Sequence, residues 1–119
     1  MQVAIITGAG SGIGLASARM LHDMGMAVVG VGRDPAKLNA LQQTIGDPGR
    51  LAALSVDITA KDAPKRIVDQ ALERYGRIDF LVNNAGIGSP KPLHETDDET
   101  LDHFLDMMLR APFRLAREV

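Results

Sequence analysis

Short apolar runs alternate along this chain with segments whose apolar positions recur every three to four residues. Val3-Ala4-Ile5-Ile6, Ala27-Val28-Val29, the run from Leu51 to Val56 and Phe80-Leu81-Val82 have strand length, and the stretches between them have helix length and helix period. That alternation predicts βαβ units and a parallel sheet. Four strands are expected, Val3 to Thr7, Ala27 to Gly32, Leu51 to Val56 and Phe80 to Asn83. They show no polar alternation, as strands covered on both faces do not. Helices are expected from Ser11 to Met24, Pro35 to Ile45, Ala60 to Tyr75 and Asp97 to Val119. Gly25, the turn Gly46-Asp47-Pro48-Gly49 and Gly76 end the first three, and Asp34-Pro35 starts the second. Pro112 should kink the last helix or end its first part near Ala111. The fold class is therefore α/β, a doubly wound parallel sheet in the order 3-2-1-4 with right-handed crossovers. Residues 1–119 read as one domain, truncated after about four strands and incomplete at its C-terminal end.

Composition narrows the class. At 119 residues, a compact chain buries roughly two-thirds of its unfolded surface, enough for one core. With 45% hydrophobic and 24% charged residues, it is neither disordered nor fibrous. A net charge of -2, one Tyr, three Phe and no Trp offer neither a basic field nor a stacking platform, so no nucleic-acid partner is expected. No apolar stretch approaches the roughly 18 residues of a membrane span, and no membrane partner is expected. With no cysteine there is no disulfide or thiol nucleophile, and a cytoplasmic location is expected. His22, His94 and His103 are scattered, and Asp97-Asp98-Glu99 reads as a first helical turn favoured by its dipole, so no metal site is expected. Lys61, Lys65 and Arg66 share a helix with Asp62 and Asp69 and read as a solvated face.

The chemistry gathers where the first strand turns into the first helix. Thr7-Gly8-Ala9-Gly10-Ser11-Gly12-Ile13-Gly14 leaves backbone N–H groups open at a helix N-terminus, where roughly half a positive charge meets a pyrophosphate. A glycine-rich turn that only lets strand and helix pack closely would look the same. Asn83-Asn84-Ala85-Gly86 then falls at the C-terminal end of the fourth strand, where open α/β sheets place their ligand crevice.

With both motifs in view, T-G-x-x-x-G-x-G and N-N-A-G, the whole chain resembles the short-chain dehydrogenase/reductase family. The resemblance implies a Rossmann-type fold and an oxidoreductase that interconverts an alcohol and a carbonyl by hydride transfer. It implies that Gly8, Gly12 and Gly14 form the turn under the pyrophosphate, with Ser11 and Ile13 supplying donors. Asp57, followed by Ile58, would accept from the adenine amino group; a turn or cap acid is the plainer alternative. Asn83, Ala85 and Gly86 would pack against the adenosine ribose and hold the central strands in register, unless the segment is a plain Asx turn. At the end of the second strand, where an acid would bond the ribose of NAD, Gly32 and Arg33 stand instead, which favours NADP(H) over NAD(H). A solvated Arg33, with Asp34 contacting the ribose, is the alternative.

The resemblance also implies a catalytic Ser and a Tyr-x-x-x-Lys, and this sequence contains no such segment. Tyr75 is followed four residues later by Asp79 and reads as a helix-end packing residue. Met108 stands where the family places a relay Asn, and it fits the apolar stripe of Leu101, Phe104, Leu105 and Leu109. No catalytic residue is therefore assigned, and the chain alone is expected to be inactive. A catalytically inactive nucleotide-binding or self-associating module, or a fragment, remains the alternative; the partner is then a second copy or a complementary C-terminal half. Gly88-Ser89-Pro90-Lys91-Pro92 either borders the substrate pocket or merely connects.

Overall fold

A computed structural model describes residues 1–87 and 91–119; Gly88, Ser89 and Pro90 of the expected pocket border lie outside the described residues. Four strands, β1 (Val3–Thr7), β2 (Ala27–Gly32), β3 (Leu51–Ser55) and β4 (Phe80–Val82), form one parallel sheet in the order β3-β2-β1-β4. The register sets Val3 beside Ala27, Val28 beside Leu51 and Ala4 beside Phe80. This is the Rossmann-type order that the sequence predicts. β3 and β4 each end one residue early, although Val56 N–H still donates to Gly32 O at 2.9 Å.

The helices α1 (Gly12–Asp23), α2 (Pro35–Ile45) and α3 (Ala63–Tyr75) cross between strands, and α4 (Asp98–Leu105) and α5 (Ala111–Glu118) follow β4. Residues of α1 and α2 pack with Ile6, Val28 and Leu51 on one face of the sheet. Residues of α3 and α5 pack with Val3, Ile5, Val29 and Val31 on the other. Both faces of β1 are thereby dry, which is why Val3 to Ile6 are apolar without a break. Each such fully buried Val or Ile contributes roughly 1.5–3 kcal/mol.

Two helices differ from the sequence reading by more than a single terminal residue. α3 begins at Ala63 and not at Ala60, because Ala60 O accepts from Ala63 N–H and Pro64, which has no N–H, suits only the first turn. The expected single last helix is α4, a π-helical turn over Asp106–Arg110, and α5. Ala111 N–H reaches back five residues to Asp106 O, and the widened turn makes room for the Pro112 ring without ending the helix. The helical hydrogen bonding is widened rather than broken.

At the N-terminal end of the sheet, carboxylates lock the elements together. Asp79 accepts from Val3 N–H at 2.8 Å and pairs with Arg77 at 2.6 Å, fixing the start of β4 against β1. Asp47 takes His22 Nε2 at 2.8 Å and Arg50 Nε at 3.2 Å, joining the end of α1 to the turn before β3. The Arg77 hydrogen bond first, then Val3 N–H, hold the Asp79 carboxyl below its usual 3.8, and the His22 bond does the same for Asp47. Groups depressed in the folded state contribute stability that is complete above their unfolded pKa and is lost as pH falls through the folded one. Thermal stability should therefore fall between about pH 5 and pH 2, and Asp79→Asn should shrink that fall. Melting curves across this range check it; an Asp79→Asn profile as steep as that of the parent would refute the assignment.

Candidate functional site

The C-terminal ends of β1, β2 and β4 open onto a cleft of about 220 Å³. Its walls include Gly8, Gly10 and Ser11 after β1, Arg33 and Lys37 after β2, and Ala85 and Gly86 after β4. β1 lies between β2 and β4, whose connections run on opposite faces, so this is the switch point of the sheet.

The glycine turn is shaped by space as much as by torsion. A Cβ on Gly14 would lie 2.1 Å from Gly8 O and 2.5 Å from Asn84 Nδ2. Only hydrogen fits there. Gly12 is different: φ is +55°, and its missing Cβ would have nothing within 4 Å, so backbone lies open on that side. Ser11 is the N-cap of α1 at φ -160°, yet its side chain makes no capping bond and the first turn holds no acid. By contrast, Asp34 caps α2 through Ala36 N–H, and Asp97 caps α4 through Thr100 N–H. The first N–H groups of α1 and the Ser11 hydroxyl are thus left for an anion. A pyrophosphate fits this cradle.

Two side chains rivet the turn to β4. Thr7, only 1% exposed, accepts through Oγ1 from Asn84 N–H and Ala85 N–H, both at 3.0 Å. Asn84 Nδ2 donates to Thr7 O at 3.1 Å and Gly8 O at 3.2 Å. Strand pairing between β1 and β4 stops at Ile6 and Val82, and among the described residues these bonds carry the junction onward. The register-holding expected of the N-N-A-G segment falls on Asn84 and the Ala85 backbone. Asn83 is exposed and instead reaches Pro112 O at 3.5 Å.

Of the expected site residues, Gly8, Ser11, Arg33, Ile58, Ala85 and Gly86 line the cleft. Gly12 and the exposed Ile13 stand at the start of α1, Gly14 is buried beneath Gly8, and Asn83 points toward α5. Asp57 lies between the cleft-lining Val56 and Ile58 but is itself exposed. Its Oδ1 accepts from Thr59 N–H at 3.0 Å and Thr59 Oγ1 at 2.7 Å. These bonds, then the more distant charge of Arg33, hold its carboxyl below 3.8, so it is ionised at neutral pH. The turn-acid alternative describes one of its oxygens.

Met108 is not a core residue. It is 54% exposed, with its methyl 3.7 Å from where a Gly86 Cβ would stand, and Met107 is buried in its place. Tyr75 packs at the end of α3 beneath the Arg74 guanidinium, as expected of a helix-end residue. Thr7, Gly10 and Lys37 were not singled out by sequence reasoning. For Thr7 the signal was its place directly before Gly8; for Lys37 it was the four-residue spacing from Arg33.

Comparison with known proteins follows the same outline. The family model for short chain dehydrogenases matches residues 2–119. Over 98 residues the chain is 42% identical to cis-4-hydroxycyclohexanecarboxylate dehydrogenase of Sinomonas cyclohexanicum, covering 81% of this chain and 39% of that protein. A 3-ketoacyl-(acyl-carrier-protein) reductase from Brucella melitensis complexed with NADH superposes with a TM-score of 0.92 at 36% identity, covering 98% of this chain and 48% of that one. A metagenomic short-chain oxidoreductase in complex with NADP gives 0.90 at 39% identity, covering 98% and 54%. The chain thus spans about half the length of the proteins it matches. Among the described residues, no helix is long and apolar enough to cross a membrane.

Proposed function

This chain belongs to the short-chain dehydrogenase family, and from that membership we propose that it is the NADP(H)-binding part of an oxidoreductase interconverting an alcohol and a carbonyl. Residues 1–119 belong to a single dinucleotide-binding domain of Rossmann type. The observation that carries the reading is the uncapped start of α1 beneath a glycine turn in which Gly14 admits no side chain. Gly8, Ser11, Gly12, Ile13 and Gly14 hold the pyrophosphate. Asp57 and Ile58 meet the adenine, and Ala85 and Gly86, not the α5-facing Asn83, border the adenosine ribose. When bound, the nicotinamide supplies or accepts the hydride.

The cofactor preference rests on Arg33. One similar structure holds NADH and another NADP, so the choice is argued from this chain's own rim. Arg33 stands where an acid would meet the ribose, and Asp34 beside it spends Oδ1 on Ala36 N–H at 2.9 Å. A guanidinium on a 2′-phosphate contributes roughly 1.5–3 kcal/mol, or about ten- to a hundredfold in affinity. Calorimetric titration should show NADPH binding more tightly than NADH, with Arg33→Ala removing most of the difference. Equal affinities that Arg33→Ala leaves unchanged would sink the preference; no binding of either would sink the dinucleotide reading. Turnover by the 119-residue chain is not expected, since it contains no Tyr-x-x-x-Lys. The zero cysteine count supports a cytoplasmic location, which cell fractionation checks.

A second reading, association with another copy or with a complementary C-terminal half, is favoured by two observations. β4 pairs with β1 alone among the described strands, and Leu101, Met108, Leu109 and Phe113 are each at least 49% exposed. A purely monomeric species in sedimentation across micromolar concentrations would count against association with a second copy.

A further inference from the structure

We infer that Lys37 is the second cation of a clasp that, with Arg33, selects a ribose 2′-phosphate; the inference rests on the dinucleotide reading above and adds to it a residue that no motif marks. Both residues line the same cleft, together with Gly10 and Ser11. The stem of Lys37 lies along the glycine turn. A Cβ built on Gly10 would stand 2.9 Å from Lys37 Cβ and 3.8 Å from its Cδ. This contact gives a reason for glycine at position 10, which the T-G-x-x-x-G-x-G pattern leaves free: any side chain there would push Lys37 off the turn.

Electrostatics argues the same way. Lys37 occupies the third position of α2, where a capping box would place Glu and where the helix dipole disfavours a cation. α2 has no acid in its first turn, and among the described residues neither Lys37 nor the Arg33 guanidinium makes an ion pair or hydrogen bond. Two cations on one rim, one of them placed against a dipole, form an arrangement that a dianion relieves. A 2′-phosphate carries close to two charges, which the planar fork of Arg33 and the point charge of Lys37 complement together. The hydroxyl of an unphosphorylated ribose offers neither cation a counter-charge.

The test uses the full 119-residue chain and four probes, NADPH, NADH, 2′,5′-ADP and 5′-ADP, titrated by calorimetry. Lys37→Met keeps the stem and the helix propensity while removing the charge. It should weaken NADPH and 2′,5′-ADP by about tenfold and leave NADH and 5′-ADP within about twofold. Its melting temperature should equal or exceed that of the parent, because a cation leaves the first turn of α2. A purely structural role for Lys37 would instead lower the melting temperature and weaken all four probes alike, which would overturn the inference. So would a Lys37→Met chain that binds 2′,5′-ADP as the parent does while Arg33→Ala loses it; the dinucleotide reading would then stand without the clasp. A parent chain that binds none of the four would overturn both.

Discussion

Gly14→Ala should lower the unfolding free energy by about 3 kcal/mol or more and abolish dinucleotide binding. The added methyl would sit 2.1 Å from Gly8 O, 2.7 Å from Gly8 C and 2.5 Å from Asn84 Nδ2. None of these atoms is the free end of a flexible side chain. Gly8 is held at the end of β1, and Asn84 is held by its bonds to Thr7 O and Gly8 O. Accommodating the methyl means lifting α1 off the turn. Gly12→Ala is the informative control. Its Cβ would meet nothing within 4 Å, but φ there is +55°, so only left-handed strain of roughly 1–2 kcal/mol applies. That variant should stay folded and still bind weakly, since its methyl would stand where open backbone faces the ligand. Urea unfolding followed by circular dichroism separates the two. If Gly14→Ala were the milder variant, the close approach of α1 to β1 would not exist in solution.

The residues show why the sheet was legible and the last helix less so. Strands dry on both faces announce themselves by composition, and Val3 to Ile6 needed no alternation to be found. That same uniformity concealed which side chains face α1 and which face α3. In the last helix, a period of 3.6 predicts one stripe through Leu101, Leu105, Met108 and Leu109. In the structure Met107, Ala111 and Leu115 reach the core instead, while Leu101, Met108 and Leu109 are exposed, so the buried stripe runs along a neighbouring face. Pro112 was visible in the sequence, but whether it would end, kink or widen the helix depended on packing. In the cleft, glycines and the N-N-A-G segment were readable as a motif. The Thr7 hydroxyl and the Lys37 stem were not, because each acts through a contact made only when distant segments meet.

Thr7→Val should cost about 2–4 kcal/mol, although it changes neither side-chain volume nor strand propensity appreciably. The hydroxyl oxygen is the sole protein acceptor, among the described residues, for two N–H groups, Asn84 and Ala85, each at 3.0 Å and part-buried. A methyl in its place leaves both donors without a partner, at roughly 1–3 kcal/mol each, less what water entering the cleft restores. Thr7→Ser keeps the oxygen and removes only a methyl, so it should cost no more than about 1 kcal/mol. The functional consequence follows from where the bonds lie. Beyond Ile6 and Val82 no ladder joins β1 to β4 among the described residues, and the Thr7 and Asn84 bonds set the separation of the two strand ends across which a dinucleotide would lie. Thr7→Val should therefore weaken dinucleotide binding even when assayed well below its melting temperature, and Thr7→Ser should not. Hydrogen exchange gives the direct readout: the Asn84 and Ala85 amides should be protected in the parent and in Thr7→Ser and exchange freely in Thr7→Val. Equal protection in all three would show that the junction is held by something other than this hydroxyl.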